Sequence, residues 1–129
     1  MQPKDLLTAA RKAQEMAYAP YSHYRVGAAL LTTGGKLFTG ANIENASYSM
    51  TICAERVAVF GAVMAGETEF EALAVASSGS ERVMPCGACL QVLAEFAPGI
   101  RIITSDAKGE LKEYSLKDLL PCAFTWQAK

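Results

Sequence analysis

The sequence predicts an α/β fold, a three-layer sandwich in which one mixed five-stranded sheet carries helices on both faces. Three observations lead there. Apolar, strand-like runs alternate with stretches whose apolar residues recur at helical spacing. No internal repeat, low-complexity tract or Gly/Ser-rich linker divides the chain. The 129 residues, 51% of them apolar, suit one domain around one core, so 1–129 reads as a single unit.

Leu6, Leu7, Ala10, Ala13, Met16 and Ala17 share a helical period, which predicts an amphipathic helix over 3–18. Ala19-Pro20-Tyr21-Ser22 breaks it, because the residue before a proline avoids helical backbone. Residues 26–32 and 36–40 read as strands joined through Thr33-Gly34-Gly35, a hairpin signal. The polar stretch 42–50 reads as a loop and 53–64 as a helix closed by Ala65-Gly66. A buried strand follows at 72–77, then a loop over 77–84. Residues 87–96 form a second core helix, ended by Pro98-Gly99. Strands at 100–104 and 110–114 flank a turn at 106–109. A short helix at 115–120 has Ser115 as its expected N-cap and Asp118 at its third position.

Charge narrows the partners. Twelve basic against thirteen acidic residues give a net charge of −1, with no basic stripe of the kind a polynucleotide requires. A small neutral ligand fits better than a nucleic acid polymer. Residues 1–20 lack the order of a signal peptide, and no run approaches the 18 or so apolar residues of a membrane span. The chain therefore reads as cytoplasmic, with no membrane partner. Its cysteines, at 53, 86, 89 and 122, are then reduced, which points to metal binding or catalysis.

Two motifs concentrate the chemistry: Cys53-Ala54-Glu55 and Pro85-Cys86-Gly87-Ala88-Cys89. Each opens a predicted helix, where the dipole and free N–H groups favour thiolates. Cys86 and Cys89 can converge on one ion, and Cys53 can supply a third ligand. Three protein ligands leave one position of a zinc ion open, the arrangement of a catalytic site. Glu55 follows Cys53 too closely to be a routine ligand; it faces the open position and exchanges protons with water held there. A ligand-x-Glu followed by Pro-Cys-x-x-Cys is the signature of zinc deaminases. Three thiolates overload one Zn²⁺ with negative charge, and Arg56 is the candidate to drain it. Two other readings stay open. Cys122 as a fourth thiolate would make a structural, non-enzymatic zinc module, and Cys86 with Cys89 alone would make a redox pair. Cys122 otherwise reads as a small core residue, and His23 as a loop residue.

With those motifs in order, the chain resembles the small, homotetrameric type of cytidine deaminase. The resemblance runs from Tyr18 to Phe124. It includes the 19–22 break, Val26-Gly27-Ala28-Ala29-Leu30, residues 40–48 (GANIENASY), 51–56 (TICAER), 85–89 and Leu119-Leu120-Pro121. It implies one zinc per chain and hydrolysis of cytidine and 2′-deoxycytidine to uridine and 2′-deoxyuridine, a step of pyrimidine salvage. Cys53, Cys86 and Cys89 match the family's zinc ligands and Glu55 its proton shuttle. Asn42 and Glu44 match the pair that holds the ribose, chiefly its 3′-hydroxyl, and Tyr24 stands where a phenylalanine usually lines the base pocket. Phe124 matches an aromatic that reaches the base from a neighbouring subunit, and Tyr48 a residue near that shared interface, so the resemblance implies a homotetramer with shared active sites. Leu90 replaces the family's usual arginine, and Cys122 its usual glycine. Deaminases of modified cytosine nucleosides, such as nucleoside antibiotics, share this pattern and remain an alternative.

Overall fold

The computed structural model describes residues 1–126; the last three residues of the unit expected over 1–129 lie outside the described residues. Helix α1 (Pro3–Gln14) starts where Pro3 presets the backbone and the Asp5 carboxylate accepts the Gln2 N–H at 3.1 Å. It stops four residues short of the expected end. The Tyr18 N–H, which would continue the helix by bonding Gln14, donates instead to Asn42 O at 2.9 Å, and Tyr18 O accepts from Glu44 N. Pairing with the 42–44 segment wins over helical periodicity, and Met16 is left 80% exposed.

Strands β1 (Val26–Thr32) and β2 (Leu37–Ala41) form the expected antiparallel hairpin, with Gly35 taking the positive φ of 90° that its turn requires. A short 3₁₀ turn (Tyr48–Met50) precedes helix α2 (Ala54–Met64), whose N-cap is Cys53. Strand β3 (Phe70–Ser77) leads through helix α3 (Gly87–Phe96) to strand β4 (Arg101–Ser105). Strand β5 (Leu111–Ser115) and helix α4 (Leu116–Leu119) complete the described chain, and Ser115 caps α4 by accepting from Asp118 N.

The sheet order is β2-β1-β3-β4-β5. Only β3 and β4 run parallel, as the helix between them requires, and the other neighbours are antiparallel. The two-residue pleat sorts the core into two layers. Ala29 and Leu31 of β1, Ala72, Ala74 and Ala76 of β3, and Ile103 of β4 meet Leu6, Leu7 and Ala10 of α1. Their strand neighbours Ala28, Leu30, Leu73, Val75 and Ile102 pack on the opposite face with Ala58 and Val59 of α2 and Leu93 of α3. This is the expected three-layer sandwich.

Two glycines let helices press close to the sheet. A Cβ on Gly27 would collide with Ala10 O of α1. One on Gly40 would meet Ala54 O and Ala58 N of α2 at 2.5 and 2.6 Å. Among the described residues, no helix is long and apolar enough to cross a membrane.

Candidate active site

Helices α2 and α3 bring their N-termini together on one face of the sheet. Cys53 and Cys86 are the two N-cap residues, both with extended backbone, and neither side chain caps its own helix. Their sulfurs are free to meet at 3.7 Å, while Cys89, in the first turn of α3, sits 3.4 Å from Cys86 Sγ. All three sulfurs lie within 4.8 Å of one another. A tetrahedral ion with Zn–S bonds near 2.3 Å sets its sulfurs roughly 3.8 Å apart.

The proton balance of the cluster points the same way. Hydrogen bonding from Cys89, reinforced by Arg56, draws the Cys53 thiol down to about 5. That same contact and burial push the Cys89 thiol up. Sulfurs this close cannot all ionise unless a cation joins them, and a divalent metal takes the place of the retained protons. Soft donors at tetrahedral spacing fit zinc. Arg56 Nη2 donates to Cys53 Sγ at 3.3 Å, adding positive charge beside the thiolates. Its Nε is buried and has no acceptor among the described residues.

Glu55 is 4% exposed, in the first turn of α2. Burial pushes its carboxyl group up to about 7, and the neighbouring Cys53 charge adds to the rise. It lines a cleft of about 250 Å³ together with Cys53 and Cys86. Tyr24, Asn42, Glu44 and Tyr48 open onto the same cleft. Thus two of the three clustered cysteines, Glu55 and four of the residues expected to touch substrate line one cleft; the third, Cys89, is buried, with its sulfur 3.4 Å from that of Cys86.

The Glu44 and Asn42 side chains are already engaged. Glu44 Oε1 accepts from Tyr21 N and Ser22 N, both at 3.1 Å, and Oε2 accepts from the Ser22 hydroxyl. Those bonds, the hydroxyl's first, hold the Glu44 carboxyl below its ordinary range. Asn42 Oδ1 accepts from Val26 N at 2.9 Å, and Nδ2 donates to Tyr24 O at 2.8 Å.

Phe124 does not reach this cleft. It is 71% exposed beside α3, where Gln91 accepts its N–H at 3.1 Å and donates to its carbonyl at 2.9 Å. Cys122 stands apart from the sulfur cluster, and it is exposed rather than a core residue because the chain after α4 runs along the surface. Leu90 is buried in the apolar layer with Leu93 and Val59, so its position offers no charge. His23 lies in an exposed loop with φ +59°. Sequence reasoning assigned no role to Ser22 or Gln91. Both act through partners 22 and 33 residues away, and no local pattern marks such contacts.

Sulfur ligands at two helix N-termini, beside a buried carboxyl group in a small cleft, define a zinc-binding hydrolytic centre on an α/β sandwich. The model for the cytidine and deoxycytidylate deaminase zinc-binding region matches residues 1–104. The chain belongs to that family. It is 48% identical to a cytidine deaminase of Sporosarcina psychrophila across 97% of this chain and 93% of the relative. A cytidine deaminase of Halalkalibacterium halodurans is 46% identical over 93% of this chain and 92% of its own length. The crystal structure of cytidine deaminase from Burkholderia pseudomallei superposes with a TM-score of 0.92 at 46% identity, covering 96% of this chain and all of that one.

Proposed function

We propose that this chain is a zinc-dependent deaminase of free cytosine nucleosides, converting cytidine and 2′-deoxycytidine to uridine and 2′-deoxyuridine with release of ammonia. The observation that carries this reading is the three-sulfur cluster adjoining a cleft that also holds buried Glu55. Zinc, held by Cys53, Cys86 and Cys89, supplies a Lewis acid that makes water nucleophilic near neutral pH. Glu55 takes a proton from the attacking water and delivers it to N3, then carries the proton of the new C4 hydroxyl to the amine as the C4–N bond breaks. Its raised affinity for a proton, near pH 7, supports traffic in both directions. Arg56 offsets thiolate charge through its bond to Cys53.

Asn42 and Glu44 hold the sugar hydroxyl, and Tyr24 lines the base pocket. The cleft lining carries the acidic Glu44 and Glu55 and, among the described residues, no lysine or arginine, which favours a neutral nucleoside over a phosphate-bearing polymer. Tyr48 and Phe124 complete pockets between subunits of a homotetramer; their exposures of 68% and 71% support such pairing. A thiolate metal site suits a reducing compartment, in keeping with a cytoplasmic enzyme of pyrimidine salvage. Residues 1–129 act as one deaminase domain, a reading supported by the single sheet on which the described helices pack.

Mixing purified protein with cytidine tests the proposal. Cytosine absorbance falls as ammonia appears, and neither change occurs after zinc is removed. Unchanged cytidine in the presence of the zinc-loaded protein would overturn it.

A further inference from the structure

The segment between α1 and β1 is tied by several hydrogen bonds to Asn42 and Glu44, which line the cleft. His23 carries the one positive φ found at a non-glycine among the described residues. The residues around it are held by the side chains of Asn42 and Glu44. Asn42 grips Tyr24 O and Val26 N, and Glu44 grips Tyr21 N and Ser22 N. One hydroxyl joins the two ends of this arrangement. Ser22 Oγ donates its single proton to Glu44 Oε2 and accepts the Tyr24 N–H at 3.0 Å. A directed chain results, from the Tyr24 amide through the Ser22 hydroxyl to the Glu44 carboxylate. A carboxylate has roughly four acceptor positions, and the loop occupies three of them. One remains, on a cleft that Ser22, Tyr24 and Glu44 all line.

We infer that Ser22 is a positioning residue: its hydroxyl aims the last free lone pair of Glu44 at the nucleoside's 3′-hydroxyl and holds the backbone of Tyr24 against the same cleft. The inference rests on the reading of Glu44 as a sugar-holding residue. The chemistry recognised is a single hydroxyl donor on a neutral sugar. Without the Ser22 hydroxyl, Oε2 rotates free and the Tyr24 N–H loses its acceptor, while the zinc cluster is untouched.

The test compares cytidine with 3′-deoxycytidine on the zinc-loaded protein. Ser22→Ala raises KM for cytidine about tenfold, the scale of one hydrogen bond to a charged group, with kcat and zinc content near wild type. The penalty for lacking the 3′-hydroxyl shrinks in Ser22→Ala and returns in Ser22→Thr, which keeps the hydroxyl. Ser22→Cys, similar in size but a weak donor, behaves like Ser22→Ala and serves if the alanine variant folds poorly. Glu44→Gln separates the two levels. If it leaves the 3′-hydroxyl preference intact, the sugar-holding reading of Glu44 falls, and the role of Ser22 with it. If Glu44→Gln abolishes the preference while Ser22→Ala and Ser22→Cys retain it in full, Ser22 is not a positioning residue and the inference is overturned.

Discussion

Glu55 occupies a place where a negative charge is costly, buried and beside a sulfur that readily ionises. A glutamate there is useful only if it trades protons. Glu55→Gln should keep the zinc and still bind nucleoside, yet turn over at least ~10²-fold more slowly, the scale of a lost general acid/base. Near-normal turnover in a coupled ammonia assay would move the shuttle elsewhere. The cysteines divide in the same residue-by-residue way. Cys86→Ser should lose zinc and activity together, while Cys122→Ser, outside the sulfur cluster, keeps both by metal analysis. Arg56→Ala should lower kcat more than the surface control Lys12→Ala, because Cys53 loses its 3.3 Å donor. Equal effects of the two substitutions would make Arg56 a bystander.

At the scale of elements, the site depends on how tightly α2 lies on the hairpin. Cys53 opens α2, and Gly40 of β2 is the point where the helix backbone comes within 2.5 Å of any added Cβ. Gly40→Ala should therefore push α2 outward, at a cost of about 1–3 kcal/mol for overpacking. The displacement also spreads Cys53 from the two α3 sulfurs. Thermal melting should report the lost stability and chelator competition a weaker hold on zinc. Lost stability with unchanged zinc affinity would mean that α2 moves as a block with α3. The same two helices explain why the motifs could be read early. A cysteine at each predicted helix start was a local signal, whereas the true end of α1 was not, since Tyr18 is claimed by a segment 24 residues further on.

The whole molecule leaves several large aromatics to water, Tyr48, Phe124 and Trp126 among them. The proposed homotetramer would cover part of this surface. Phe124→Ala should raise KM for cytidine with zinc content unchanged. Co-expressing it with Cys86→Ser chains should restore some complete pockets, because each variant supplies what the other lacks. A fully active monomer by light scattering at assay concentration would refute shared sites while leaving the deaminase reading standing. Gln91 accepts the Phe124 N–H and donates to its carbonyl, which ties the backbone of Phe124 to α3.

The alternation of helical and strand-like periods determined the layered fold, and the two cysteine motifs determined the metal and the neighbouring acid. Both are local signals, written within a few residues and expressed wherever those residues fold. Other features came only from the tertiary structure. The strand order β2-β1-β3-β4-β5, the early stop of α1 and the burial of Leu90 follow from which surfaces meet after folding. The exposure of Cys122 and the tethering of Ser22 by Glu44 have the same origin. A backbone N–H takes the best acceptor within reach, and for Tyr18, Ser22 and Phe124 that acceptor is far away in sequence. Pairings of that kind leave no period to read, so they appear only once the sheet and its helices have closed around them.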